Sequence, residues 1–98
     1  MVSLQKWEAM LNFKTTNQFE KDFKRVLKRG KDEKKIKEIM VKLVKKQPLD
    51  AKHKDHNLTG NYVGRRECHI EPDWLLIYKK SDTEIIFERT GSHPDLFG

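Results

Sequence analysis

Residues 71–78 read Glu-Pro-Asp-Trp-Leu-Leu-Ile-Tyr, and the fold is decided there. Glu71-Pro72-Asp73 is a turn signal, and Trp74 to Tyr78 is a short, strongly apolar strand candidate. Upstream, Tyr62-Val63 precedes the segment Arg65 to Ile70, which alternates in residue type. Downstream, Ser81-Asp82-Thr83 is a second turn and Ile85-Ile86-Phe87 a further strand. The three segments form an antiparallel meander.

Working back toward the N-terminus, the periodicity changes from two to that of a helix. Phe19, Phe23, Val26 and Leu27 follow the i, i+4, i+7, i+8 spacing of one apolar stripe. Asn17 with Glu20 resembles a capping arrangement, and Gly30 after Arg29 suits a helix C-terminus. Ile36, Ile39, Met40, Leu43 and Val44 repeat the stripe, which Pro48 brings to an end. The two helices form a hairpin with apolar inner faces and lysine-rich outer faces. Leu11 to Thr16 reads as a first strand with Phe13 turned inward. The expected order is β-α-α-β-β-β, an α+β fold whose antiparallel sheet is covered on one face by the helices. Residues 1–10 fall outside this pattern as an extension, and residues 11–98 form a single domain.

Composition narrows the partners. The chain has 98 residues, 36% hydrophobic and 37% charged, with 21 Lys and Arg against 15 Asp and Glu, a net +6. A chain of this size supports one modest core. From Lys21 to Lys46 twelve basic residues face four acids, a local +8, whereas residues 71–98 carry a local −3. Such a basic block suits a polyanionic or acidic partner, and a solvated surface is the plainer reading of the same lysines. No apolar run approaches the ~20 residues of a membrane span, and no continuous apolar segment suggests a secretory leader. The single cysteine, Cys68, excludes an internal disulfide and fits a reducing cytoplasm.

Four histidines are the candidates for chemistry. Alternation puts Arg65, Glu67 and His69 on one face of their strand, and Arg66, Cys68 and Ile70 on the other. Glu67 and His69 therefore share a face beside a turn that supplies Asp73. His56 lies in the loop before the meander and His93 in the C-terminal segment. Histidines near carboxylates can act as base, acid and orienting group, and arginines nearby can hold a phosphate. His53 reads as an exposed loop residue, Trp74 as a core aromatic, Cys68 as packed against the helices, and Glu88 with Arg89 as a surface pair. The spacing of His53, His56, Cys68 and His69 matches no standard zinc pattern, so no metal and no cofactor is expected. There is no nucleophilic serine motif, Walker loop or dinucleotide glycine pattern.

Three runs then carry a resemblance. Residues 54–60, Lys-Asp-His-Asn-Leu-Thr-Gly, residues 66–78, Arg-Glu-Cys-His-Ile-Glu-Pro-Asp-Trp-Leu-Leu-Ile-Tyr, and residues 87–93, Phe-Glu-Arg-Thr-Gly-Ser-His, followed by Leu96-Phe97-Gly98, resemble the YafQ branch of the RelE/ParE toxin superfamily. The resemblance runs from about residue 12 to the C-terminus. It implies a RelE-like fold and a ribosome-dependent endoribonuclease of a bacterial toxin–antitoxin pair. Cleavage of messenger RNA in the ribosomal A site would proceed without metal, by attack of the substrate's own 2′-hydroxyl on the adjacent phosphate. The family's functional positions fall on His56, Glu67, His69, Asp73, His93 and Phe97. Asp73 or a histidine would take the 2′-hydroxyl proton, and His93 would protonate the leaving 5′-oxygen. His56 and His69 would position or neutralise the phosphate, Arg89 would stabilise the transition state, and Phe97 would stack on a base. Glu67 stands where relatives often have aspartate. Lys28, Lys31 and Lys35 would dock the toxin on ribosomal RNA. The implied partner is an acidic, DinJ-like antitoxin in a heterotetramer that contacts operator DNA only through the antitoxin. Two alternatives share the fold, a ParE-like gyrase inhibitor and a noncatalytic ribosome- or RNA-binding module.

Overall fold

A computed structural model describes residues 10–98. The extension expected over residues 1–10 lies outside the described residues except for Met10. In chain order the elements are β1 (Asn12–Thr15), α1 (Asn17–Lys28), α2 (Glu33–Val44), β2 (His56–Asn57), β3 (Arg66–Glu71), β4 (Trp74–Lys80), β5 (Glu84–Gly91) and α3 (His93–Phe97). Single turns of tight helix at Ala51–His53 and Gly60–Tyr62 flank β2. Among the described residues no helix is long and apolar enough to cross a membrane.

The meander forms as the alternation dictates. β3 pairs antiparallel with β4, and β4 with β5, in a sheet ordered β1-β5-β4-β3-β2. Three features differ from the expectation. β1 runs parallel to β5, with Asn12 opposite Glu84 and Thr15 opposite Phe87, so the sheet is mixed rather than wholly antiparallel. Phe13 is not buried: it sits on the edge strand and is 61% exposed, while Leu11 just before the strand is 4% exposed. A two-residue strand, β2, also pairs with β3 where the sequence suggested only a loop.

Both helices begin at a side-chain cap. Thr16, one residue before the expected Asn17, accepts from the Phe19 N–H at 3.0 Å, and Asp32 accepts from Lys34 at 2.9 Å. Each cap satisfies a donor that the first turn leaves without an intrahelical partner. Gly30 follows α1 in the left-handed region, at φ +91°, as a helix terminator does.

The apolar faces of the helices close over one side of the sheet. Phe19, Val26, Ile36, Ile39 and Leu43 pack with Cys68, Ile70, Trp74, Leu76, Tyr78, Ile85 and Phe87. Cys68 is fully buried, and that burial pushes its thiol up to about 12. Trp74 is the expected core aromatic, its indole N–H donating to the Thr90 hydroxyl at 3.0 Å. The other side of the sheet is not bare: Leu75 and Ile77 form a smaller cluster with Leu96 of α3, against Leu58 and Tyr62.

One polar group lies inside the helix layer. Asp22, three residues after Phe19 on the same face of α1, is fully buried. β1 ends opposite Phe87, and past that point α1 covers the open edge of β5. There Asp22 accepts from the Thr90 N–H at 3.2 Å, from Arg89 Nε at 2.7 Å and from Arg25 at 3.0 Å. Arg89 is therefore a tie between α1 and β5, and Glu88 pairs with Arg65 at 2.8 Å instead of with Arg89. Asp22→Ala is expected to destabilise the protein by about 2–4 kcal/mol, because it leaves the buried Thr90 N–H without an acceptor and the partly buried Arg89 without its partner. Urea unfolding would measure it, and a loss below about 1 kcal/mol would place the pair with ordinary surface bridges.

Candidate active site

The face of the sheet opposite the long helices carries a row of rings. β2 presents His56, β3 presents Glu67 and His69, the β3–β4 turn presents Asp73, and α3 presents His93 and Phe97. Ring centroids lie 6.4 Å apart for His56 and His69, 5.8 Å for His69 and His93, and 6.3 Å for His93 and Phe97. Tyr62 meets Phe97 edge-on at 5.6 Å and ends the row. The β-alternation that places Cys68 and Ile70 in the core is what turns Glu67 and His69 outward to this face.

Each imidazole faces a carboxylate. Glu67, 4% exposed, turns Oε1 toward His69 Nε2 at 3.3 Å and His56 Nε2 at 3.6 Å. The remaining nitrogens of that pair meet backbone carbonyls, His56 Nδ1 at Lys54 (2.5 Å) and His69 Nδ1 at Pro72 (3.3 Å). A carbonyl only accepts, so both Nδ1 atoms donate. At the other end of the row, Asp73 Oδ1 accepts from the His93 backbone N–H at 2.9 Å and from His93 Nδ1 at 2.7 Å. This fixes the ring and leaves Nε2 without a hydrogen-bond partner among the described residues, an arrangement in which a carboxylate orients an imidazole. First the backbone N–H and then the imidazole of His93 hold the Asp73 carboxyl below the usual aspartate range.

α3 has only five residues, so its position depends on ties at its ends. Ser92 and Asp95 form a reciprocal capping box. Asp95 is also gripped by both terminal nitrogens of Arg29, at 2.6 and 3.1 Å, which connects the end of α1 to the helix bearing His93 and Phe97. The Arg29 guanidinium, followed by the Ser92 N–H, holds the Asp95 carboxyl well below the usual range. Gly91 permits this approach, since a Cβ there would lie 2.8 Å from Asp95 Oδ2.

His56, Glu67, His69, Asp73, His93 and Phe97 are thus brought together on this face. Arg89 and two of the docking lysines do not stand free. Arg89 grips Asp22, and Lys31 and Lys35 both donate to Glu71 at 2.8 Å, holding its carboxyl below the usual range. They bridge the helix layer to β3, whereas Lys28 lies exposed on α1.

Comparison with known proteins gives this geometry a family. Residues 11–98 match the family described as bacterial toxin of type II toxin-antitoxin system, YafQ. The chain belongs to the YafQ toxin family. It is 49% identical to the mRNA interferase toxin YafQ of Escherichia coli strain K12 over 84 residues, 85% of this chain and 91% of that protein. The crystal structure of YafQ from E. coli strain BL21(DE3) superposes with a TM-score of 0.86 at 45% identity, covering 90% of this chain and 99% of that one. YafQ in the crystal structure of the E. coli DinJ-YafQ toxin-antitoxin complex superposes at 0.84 with 46% identity, over 91% and 99% of the two chains. The RelE-like reading of the sequence is therefore correct at the level of family and fold.

Sequence reasoning missed Tyr62, Arg29 and His53. Tyr62 carried no signal beyond being aromatic, Arg29 finds Asp95 only through a 66-residue separation, and His53 is not an exposed loop residue. Its Nδ1 lies 2.6 Å from the His69 carbonyl oxygen.

The depressed Asp73 carboxyl has a definite sign. Its contribution to stability is present above the unfolded-state pKa and is lost as pH falls through the lower folded value. A carboxyl-carbon NMR titration is expected to place the Asp73 midpoint below the ordinary value of about 3.9. In His93→Ala the midpoint should rise only part of the way, because the backbone donor remains. A midpoint at or above the ordinary value in the wild type would contradict the described pairing.

Proposed function

We propose that this chain is the toxin of a type II toxin–antitoxin pair and an endoribonuclease that cuts translated messenger RNA on the ribosome. The observation that carries the reading is the row of three imidazoles, each against a carboxylate, with His93 Nε2 free beside the exposed ring of Phe97. The mRNA interferase name of its E. coli relative supports the same conclusion.

The chemistry follows from the geometry. The substrate's 2′-oxygen attacks the adjacent phosphorus as the bond to the 5′-oxygen breaks. The 2′-hydroxyl proton passes to the His56–Glu67–His69 group, whose two imidazoles share one carboxylate. His93 Nε2 gives a proton to the leaving 5′-oxygen. The products are a 2′,3′-cyclic phosphate and a 5′-hydroxyl. Asp73 is assigned to holding His93, because its Oδ1 already accepts from both the backbone N–H and Nδ1 of that residue. His56 and His69 position the phosphate, while Phe97, backed by Tyr62, stacks on a base. Arg89 acts through the fold rather than on the phosphate.

The lysines on the outer faces of α1 and α2, Lys28 among them, would meet ribosomal RNA, with affinity falling steeply in salt. An acidic antitoxin of the DinJ kind is the restraining partner, in a heterotetramer that contacts operator DNA through the antitoxin. A ParE-like gyrase inhibitor or a noncatalytic binding module would have no use for three imidazoles paired with buried and turn carboxylates.

His93→Ala is expected to fold and to lose about 10²–10⁴-fold in cleavage rate, the range for removing a positioned general acid. Induced expression beside wild type, with growth recorded and a reporter transcript mapped by primer extension, checks this. Growth arrest by the wild type without any cut in the transcript would overturn the ribonuclease reading.

A further inference from the structure

Between α2 and β2 the chain makes one tight turn at Ala51–His53, and Lys54 then adopts the left-handed conformation, φ +47° and ψ +45°. A lysine in that region carries strain of order 1–3 kcal/mol, so the surrounding contacts must over-determine it. Three of them can be named. Tyr78 donates its hydroxyl to Asp55 at 2.6 Å from the centre of the sheet. The Lys54 carbonyl accepts from His56 Nδ1 at 2.5 Å. The third is His53, whose Nδ1 donates to the carbonyl of His69 at 2.6 Å.

That third contact joins the two halves of the imidazole pair. β2 covers β3 only at Arg66 and Glu67, so among the described residues the edge of β3 has no strand partner at His69. A backbone carbonyl left in that position needs a donor, and the half-buried His53 ring supplies it. The same ring sits three residues before His56 in a strand of two residues, which is too short to hold its own register. His53 therefore fixes the backbone of one catalytic imidazole while anchoring the loop that delivers the other, and both imidazoles share the Glu67 carboxylate.

We propose that His53 is a positioning residue for the reaction, setting the spacing of His56 and His69 about Glu67 through its hydrogen bond to the His69 carbonyl. It touches no reacting atom. The proposal rests on the ribonuclease reading above and adds to it a residue that neither the row of rings nor the basic faces include. Asparagine presents an N–H close to where histidine presents Nδ1–H, so it preserves the contact, whereas alanine and leucine remove it.

The test is a three-variant series, His53→Ala, His53→Leu and His53→Asn, with wild type and His93→Ala as controls. Turnover on programmed ribosomes, thermal unfolding and the imidazole ¹H–¹⁵N correlations of His56 and His69 are recorded for each. Alanine and leucine are expected to lower kcat at least 10-fold with KM within about 2-fold, since a lost 1.4 kcal/mol of positioning corresponds to tenfold in rate. Asparagine should recover most of kcat, and the His56 and His69 signals should move in the alanine and leucine variants while remaining near wild type in asparagine. Wild-type kcat in the alanine variant would overturn the proposal, as would equal losses in asparagine and alanine. So would a loss of kcat that merely follows the unfolding temperature. If the wild type itself does not cut, the ribonuclease reading fails, and unmoved His56 and His69 signals in His53→Ala would separately refute the positioning role.

Discussion

Five consecutive side chains of β4, Trp74 to Tyr78, are all 0% exposed. A strand in an antiparallel sheet ordinarily has one wet face, and burying both obliges the chain to build two covers. Each large apolar side chain contributes about 1.5–3 kcal/mol on burial, so neither cover is dispensable in a domain of this size. The long helices provide the first. The second is assembled from the Leu58–Tyr62 segment and α3, with Leu96 as its plug over Leu75 and Ile77. The elements that carry the imidazole row on either side of β3 are thus part of the second layer of the fold. The site does not stand apart from the structure; it is the covering of β4.

Carboxylates do the joining in this basic chain. Asp22 docks α1 on β5, Asp95 connects α3 to Arg29, Asp73 holds His93, Asp55 receives Tyr78, and Glu67 sits between two histidines. Several of these acids are turned inward or toward the sheet, while Lys21, Lys24, Lys28, Lys34 and Lys45 are exposed on and beside the helices. The same inward placement fixes the site and leaves positive charge outward, where a polyanion is met. The same placement of acids gives Arg89, Lys31 and Lys35 their partners in the fold, Asp22 for the arginine and Glu71 for both lysines.

How much of this could be read beforehand follows the range of the interactions. The meander and both long helices were legible because alternation over Arg65 to Ile70 and the stripes through Phe19 and Ile36 are local patterns. Cys68 and Trp74 fell on the core side for the same reason. The parallel pairing of β1 with β5 was not legible, since it joins residues some seventy positions apart and nothing in Asn12–Thr15 encodes a direction. Phe13 misled because apolarity does not reveal that a strand lies at an edge. The members of the imidazole row were legible through family likeness, but their sharing of Glu67 and the grip of Asp73 on His93 are matters of ångströms. Asp22 looked like one more charge on a charged helix, and His53 like one more loop histidine; both are defined by a partner 16 or more residues away.

The central claim is that imidazoles move the protons while the substrate's own 2′-oxygen forms the new bond to phosphorus. End-group analysis of the transcript cut on programmed ribosomes tests it most directly. The account predicts a 5′-hydroxyl on the downstream fragment, ligatable only after kinase treatment, and a 2′,3′-cyclic phosphate or its opened phosphate upstream. A 5′-phosphate on the downstream fragment would mean that water or another nucleophile attacked instead, and would contradict the account.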